Sequence, residues 1–235
     1  MKRFNLVAIL AVFCIVLGCA DSLRAEERSE SAGLDQVPKT LAVLPFENNS
    51  VTDPDLFAPL SKGLSAMLIS DLNKSGSALK LIERGKIQAL LKEIALSQTG
   101  SVDEATAIRA GKILGAQAIA FGSFMVFGKT VRIDTRIINV ETSELIMAES
   151  ILGNIDNFMS LEQALAEKIA VSLKMALIFK IGKAESSINA ALYFSKGLDA
   201  LDRNDRAQAR ELFKKSIEID SAYKQQVDNV QGLNQ

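Results

Sequence analysis

The sequence contains no histidine and no tryptophan, and only two cysteines in 235 residues. Without histidine the chain lacks the commonest general acid–base and the commonest metal ligand. That argues against serine–histidine and cysteine–histidine hydrolases, histidine phosphorelays and the usual zinc enzymes. An excess of charge of one sign is also missing. With 27 basic and 28 acidic residues the formal charge is −1, so no global basic field exists to hold nucleic acid by counterion release, and no nucleic-acid partner is expected. The GxxxxGK[ST] spacing of a phosphate-binding loop is absent too. Phe121-Gly-Ser-Phe and Phe127-Gly-Lys-Thr130 contain glycine but read as strand and hairpin turn. No cofactor, no metal site and no catalytic residue are expected, and the chain reads as a non-enzyme. What is present is ordinary for a globular chain: 48% apolar, 23% charged and 6% aromatic residues. That suffices for one medium domain with an appendage, or two small domains.

Long hydrophobic runs are scarce. Phe4 to Leu17 is apolar except for Asn5 and follows the cationic Lys2 and Arg3. It is shorter than the ~20 residues a membrane-spanning helix needs, and it fits the apolar core of a secretory signal peptide. Its ending, Val16-Leu17-Gly18-Cys19, resembles a bacterial lipobox, with Leu17 bulkier than the usual Ala or Ser. The alternative is an ordinary signal peptide that happens to end beside a cysteine. The resemblance implies that residues 1–18 are removed and that Cys19 is the lipid-attachment residue. Cys14 leaves with the signal peptide, so no thiol remains for a disulfide and the core alone must hold the fold. One acyl chain binds a membrane marginally, whereas two or three anchor durably. Ala20, where Asp implies inner-membrane retention, points to an outer-membrane anchor facing the periplasmic space. Residues 19–39 are polar and mixed in charge and read as a flexible tether, with Glu26, Glu27, Glu30 and Asp35 as solubilisers. Stretched at ~3.5 Å per residue, it reaches roughly 70 Å.

Residues 40–182 read as an α/β domain. Thr40 to Phe46 is a short apolar strand covered on both faces. Phe57 to Asn73 is a helix with Leu60, Leu64, Met67, Leu68 and Leu72 inward, stopped by Ser75-Gly76. Leu79 to Ile82 is a second strand. Arg84 to Leu96 is a helix with Ile87, Leu90, Leu91 and Ile94 on one face, and Glu83-Arg84 orients the junction before it, with a buried or interface ion pair as the alternative. Ser101 to Glu104 is a capping-box pattern opening the helix Glu104 to Leu114, with Ala107, Ile108, Gly111 and Leu114 inward. The period then becomes two. Gln117 to Phe127, Thr130 to Val140 and Glu144 to Leu152 are strands of an antiparallel meander, with a tight turn at Gly128-Lys129. In the middle strand Val131, Ile133 and Ile137 face the core while Arg132, Asp134 and Arg136 face water. Ser160 to Gln163 is a second capping box, and its helix turns Leu161, Leu165, Ile169, Leu173 and Leu177 inward. Glu104, Glu162 and Glu167 fall at helix starts or on outer faces. Asn48-Asn-Ser50 reads as a loop.

Five segments in this order resemble the CsgG family, the curli production assembly/transport component: Leu41-Ala-Val-Leu-Pro-Phe-Glu-Asn48, Leu81-Ile-Glu-Arg84, Lys112-Ile-Leu-Gly-Ala116, Ala118-Ile-Ala-Phe-Gly-Ser123 and Ile137-Ile-Asn-Val-Glu-Thr142. In order and spacing the resemblance covers about residues 40–180. The resemblance implies a mixed sheet with an antiparallel meander flanked by helices, and envelope protein partners with possible homo-oligomer formation. Channel members of that family add long amphipathic hairpins to this domain. The very short turns between Gln117 and Leu152 leave no segment for them, so the resemblance implies the periplasmic domain without the pore.

Residues 183–235 change style. Tyr193, Gly197, Ala200, Ala209 and Phe213 resemble the packing positions of one tetratricopeptide repeat, with Arg203-Asn-Asp205 as the turn; Ser216 and Ser221 depart from the pattern. A plain helical hairpin is the alternative. A lone hairpin leaves part of Tyr193 and Phe213 exposed, so it must pack on the α/β domain, a second subunit or a partner. Three functions compete. The first is an assembly or docking component of envelope secretion or appendage biogenesis. The second is a regulatory lipoprotein that activates a peptidoglycan synthase. The third is an enzyme working through carboxylates alone, which requires an acidic cleft with perturbed carboxyls.

Overall fold

The computed structural model describes residues 37–74, 78–93, 103–175 and 187–230. The signal and lipobox residues, Cys19 and most of the tether lie outside them, as do Ser75-Gly76, Ile94, Ser101 and Leu177. The chain from Pro38 onward forms one compact unit.

Strand β1 spans Thr40–Val43. It stops short of the expected Phe46 because Pro45 has no N–H to continue the ladder. Leu44 N still donates to Ala120 O, and Phe46 is instead hooked to the following helix, its N–H on Ser61 O and its carbonyl accepting from Ser61 Oγ. A two-residue strand β2 follows at Glu47–Asn48. Asn48 then turns the chain, its side chain accepting from Ser50 N and donating to Pro54 O. Helix α1 is Pro54–Phe57 and α2 is Leu60–Asn73. Strand β3 (Lys80–Leu81) and helix α3 (Arg84–Glu93) come next. Helix α4 (Glu104–Leu114) is capped by Asp103, whose carboxylate accepts from Thr106 N and is held below its ordinary pKa by the Thr106 side chain first and by that backbone N–H second. It ends at Gly115, where φ is +66° and a side chain would be strained. The meander is β4 (Ala118–Phe127), β5 (Thr130–Asn139) and β6 (Leu145–Asn154). Its first turn is Gly128-Lys129, with Gly128 at φ +59°.

The mixed sheet has the order β3-β1-β4-β5-β6, with β2 continuing alongside β4 beyond β1. β1 runs parallel to β3 and β4, and β4-β5-β6 is antiparallel. This is the expected mixed sheet flanked by helices. Alternation along β1 sends Leu41 and Val43 into the main apolar cluster and Ala42 and Leu44 into the second, so both faces of this strand are covered.

Helix α5 (Phe158–Ser172) starts earlier than the Ser160 capping box implies. A 3₁₀ turn at Ile155–Asn157, capped by Asn154 through Asp156 N, launches it and puts Phe158 and Met159 inside its first turn. Leu165, Ile169 and Leu173 are inward as expected. A second row, Phe158, Glu162, Ala166 and Ala170, is buried as well, because the helix is wedged between β6 and α2.

The C-terminal helices are α6 (Ile188–Asp202), α7 (Arg206–Ile219) and α8 (Tyr223–Asp228). The turn between α6 and α7 is Arg203-Asn-Asp205, with Asn204 at φ +63° and Asp205 capping α7 through Gln208 N. Gly197 is required here, since a Cβ would sit 2.6 Å from the Phe213 ring. The hairpin seats itself on α2. Gly63 packs against Ser195, Lys62 Nζ bonds Asp199 at 2.6 Å, and Phe194 and Leu198 join the main cluster. Phe213 is only 1% exposed, closed over by Gly197 and Phe194 of the facing helix. Its ring and that of Tyr223 each lie 5.7 Å from Phe194. Tyr193 stays half-buried.

Candidate functional site

The second face of the sheet is only half covered. Helices α3 and α4 pack Ile87, Leu90, Leu91, Ala107 and Ala110 over Ala42, Leu44, Ile119, Phe121, Ile138 and Val140. Beyond these residues toward the β4–β5 turn, no helix among the described residues covers the strands. The cross-strand rows are Met125–Arg132–Leu152 and Ser123–Asp134–Ser150, ending at Phe127–Thr130–Asn154. Phe127 and Leu152 are 66% and 68% exposed, and Met125 39%. Val51 lies alongside, its N–H bonded to Val126 O, and is 65% exposed. This open region thus presents four large apolar side chains to solvent. Arg132 grips Asp134 with contacts of 2.7–2.9 Å. At such exposure the pair adds little stability but holds the guanidinium in one orientation. The expectation that Arg132, Asp134 and Arg136 face water holds.

A second cluster is sealed. Asp71 of α2 is 1% exposed, and its Oδ1 accepts from Lys74 Nζ at 2.6 Å and Gln226 Nε2 at 2.8 Å. Asp71 Oδ2 is buried without a partner, and so are both carboxyl oxygens of Glu162. Glu162 is fully buried, which corrects its expected place on an outer helix face. Burial raises its pKa well above the ordinary carboxylate range; the charge of Asp71 and a hydrogen bond to it raise it further, and Lys74 opposes them. Glu162 is not among the residues that line the cavity between α2 and α6, whereas Gln226 is.

A cavity of about 410 Å³ opens between α2, the β3–α3 junction, α6 and α8, with Ile69, Asn73, Glu83, Arg84, Phe194 and Asn229 on its walls. Arg84 does not serve Glu83. It forks onto Asp202 of α6, at 3.1 and 2.9 Å. Lys62 reaches the same carboxylate, and Lys92 donates to the Asp202 carbonyl. The junction is thus oriented by a residue 118 positions away, which no local pattern reveals. Asp71 and Glu162 did leave a trace. Each interrupts an apolar helical row, Asp71 four residues after Met67 and Glu162 three before Leu165.

Cys19 lies outside the described residues. Among them, no group of three or more acidic, cysteine or histidine residues could hold a metal ion, and no helix is long and apolar enough to cross a membrane.

The family model described as "Curli production assembly/transport component CsgG" matches residues 25–132. The match begins in the tether and ends within β5, so Ile137 to Thr142 and the helical C-terminus lie beyond it. No curated protein matches the chain. Among solved structures, lipoprotein GNA1162 from Neisseria meningitidis is similar at 18% identity and TM-score 0.38, over 57% of this chain and 97% of that one. The PelC dodecamer from Paraburkholderia phytofirmans is similar at 13% identity and TM-score 0.37, over 58% and 88%. The LpoB C-terminal domain from Salmonella enterica is similar at 15% identity and TM-score 0.35, over 49% and 82%.

Proposed function

We propose that this chain is a non-enzymatic lipoprotein of the CsgG family, held at the periplasmic face of the outer membrane through acylated Cys19, that docks envelope proteins in secretion or appendage biogenesis. The family-model match over residues 25–132 supports the family. The docking role is carried by the uncovered half of the sheet, where Met125, Phe127 and Leu152 stand exposed on strands fixed from behind by the main core. Short turns at Gly128-Lys129 and between β5 and β6 support a member without pore hairpins. The helical hairpin, in the manner of a single tetratricopeptide repeat, braces the α/β domain.

Two experiments test this. Cys19→Ser should shift the protein from the membrane fraction to the soluble periplasm; membrane retention of the cleaved, unlipidated variant would sink the anchor. A photo-crosslinker placed at Leu152 in cells should yield adducts with secretion or appendage components, reduced at least tenfold by Phe127→Asp. A crosslinker at Lys214 on α7 is the control. Equal adducts from both positions would remove the sheet face as the docking surface. Adducts with a peptidoglycan synthase would instead favour the regulatory reading.

A further inference from the structure

The sealed Asp71–Glu162 contact has a consequence independent of what the sheet face docks. Two carboxyl groups meet in a buried seam between α2 and α5, and three of their four oxygens have no protein partner if both are ionised. Asp71 Oδ1 is already engaged, accepting from both Lys74 and Gln226. A proton on Glu162 resolves the rest: Glu162 donates to Asp71 Oδ2, and one orphan oxygen remains instead of three. Two adjacent buried carboxylates facing one cation would repel each other.

We propose that a single proton held between Glu162 and Asp71 is a structural part of this fold, and that its loss on raising the pH opens the seam between α2 and α5. The groups around Glu162 support a one-proton latch. From α2 come Asp71 and Lys74, and α8 contributes the Gln226 amide that donates to Asp71 Oδ1. On β6, Glu149 is taken by Lys168 at the surface. On α6, Asp199 and Asp202 are taken by Lys62 and Arg84. Among the described residues Asp71 is the one acid that acts on Glu162.

The chain's lack of histidine makes this readable. Apart from the α-amino group, no ordinary side chain titrates between about pH 5 and 8. Glu162 has its folded pKa raised above an ordinary value of 4.5. Its stabilising contribution is therefore complete below that value and is lost as pH climbs toward the folded one. Within that window one proton changes the folding constant by up to tenfold per pH unit. The test is thermal unfolding of the full chain from pH 5 to 8, with Glu162→Gln beside wild type. Gln keeps the shape and offers an N–H to Asp71 Oδ2 without a titrating charge. Wild type should lose stability as pH rises, with hydrogen exchange quickening along α2 and α5, while the variant stays level. Parallel curves would overturn the latch. Should the variant fail to fold, a ¹³C-carboxyl NMR titration of wild type decides. A Glu162 midpoint well above the carboxylate range sustains the proposal, and an ordinary midpoint ends it.

Discussion

Gly122→Ala should destabilise the protein by about 3 kcal/mol or more, at the upper end of what overpacking does. The added Cβ would be driven into the Asp134 carbonyl, and it would stand only 3.0 Å from both the Asp134 carbonyl carbon and Thr135 Cα. All three are backbone atoms, so no rotamer change can relieve the clash. The β4–β5 ladder must shift, and with it Phe124, Val126 and Val131 in the main cluster. Against a typical stability of 5–15 kcal/mol that is a large share. Gly85→Ala is the matched control. Nothing lies within 4 Å of its Cβ position, on helix α3. That change should be neutral or stabilise by up to about 1 kcal/mol through reduced unfolded-chain freedom. Denaturant midpoints of the two variants read the contrast, and similar shifts for both would show that β5 does not press on Gly122.

Leu64→Ala and Leu68→Ala should each lose about 2–5 kcal/mol. Both side chains are 0% exposed and lie one turn apart on α2. That helix packs against the sheet, α5 and α6, so a cavity there cannot collapse without moving three layers. The pair are neighbours, and the double variant should depart from the sum of the singles because they share one cavity. Unchanged unfolding curves for either single variant would mean that the apolar phase of α2 has been misassigned.

The helical phase of α2 was legible because five large apolar residues recur at three- and four-residue spacing, and all five are buried. The meander was legible because Val131, Ile133 and Ile137 alternate with charges. The start of α5 was not. A capping-box pattern at Ser160 competes there with Phe158 and Met159, and burial of those two side chains outweighs one side-chain cap. The same wedging of α5 buried Glu162, which a single apolar stripe had placed outside. The partner of Arg84 was equally hidden. Glu83 is adjacent in sequence but exposed, whereas Asp202 arrives only when α6 crosses α2.

The residues by themselves determined which segments are helix or strand, the mixed sheet with its meander, and what chemistry is absent without histidine. These follow from periodicity and composition, which are properties of neighbours along the chain. Tertiary structure alone decided that the C-terminal hairpin lies on α2. It also decided that, among the described residues, part of one sheet face stays open and that two carboxyls share a buried seam. Each depends on residues far apart in sequence meeting in space, where burial and desolvation set a charge's fate, and no local pattern carries that information.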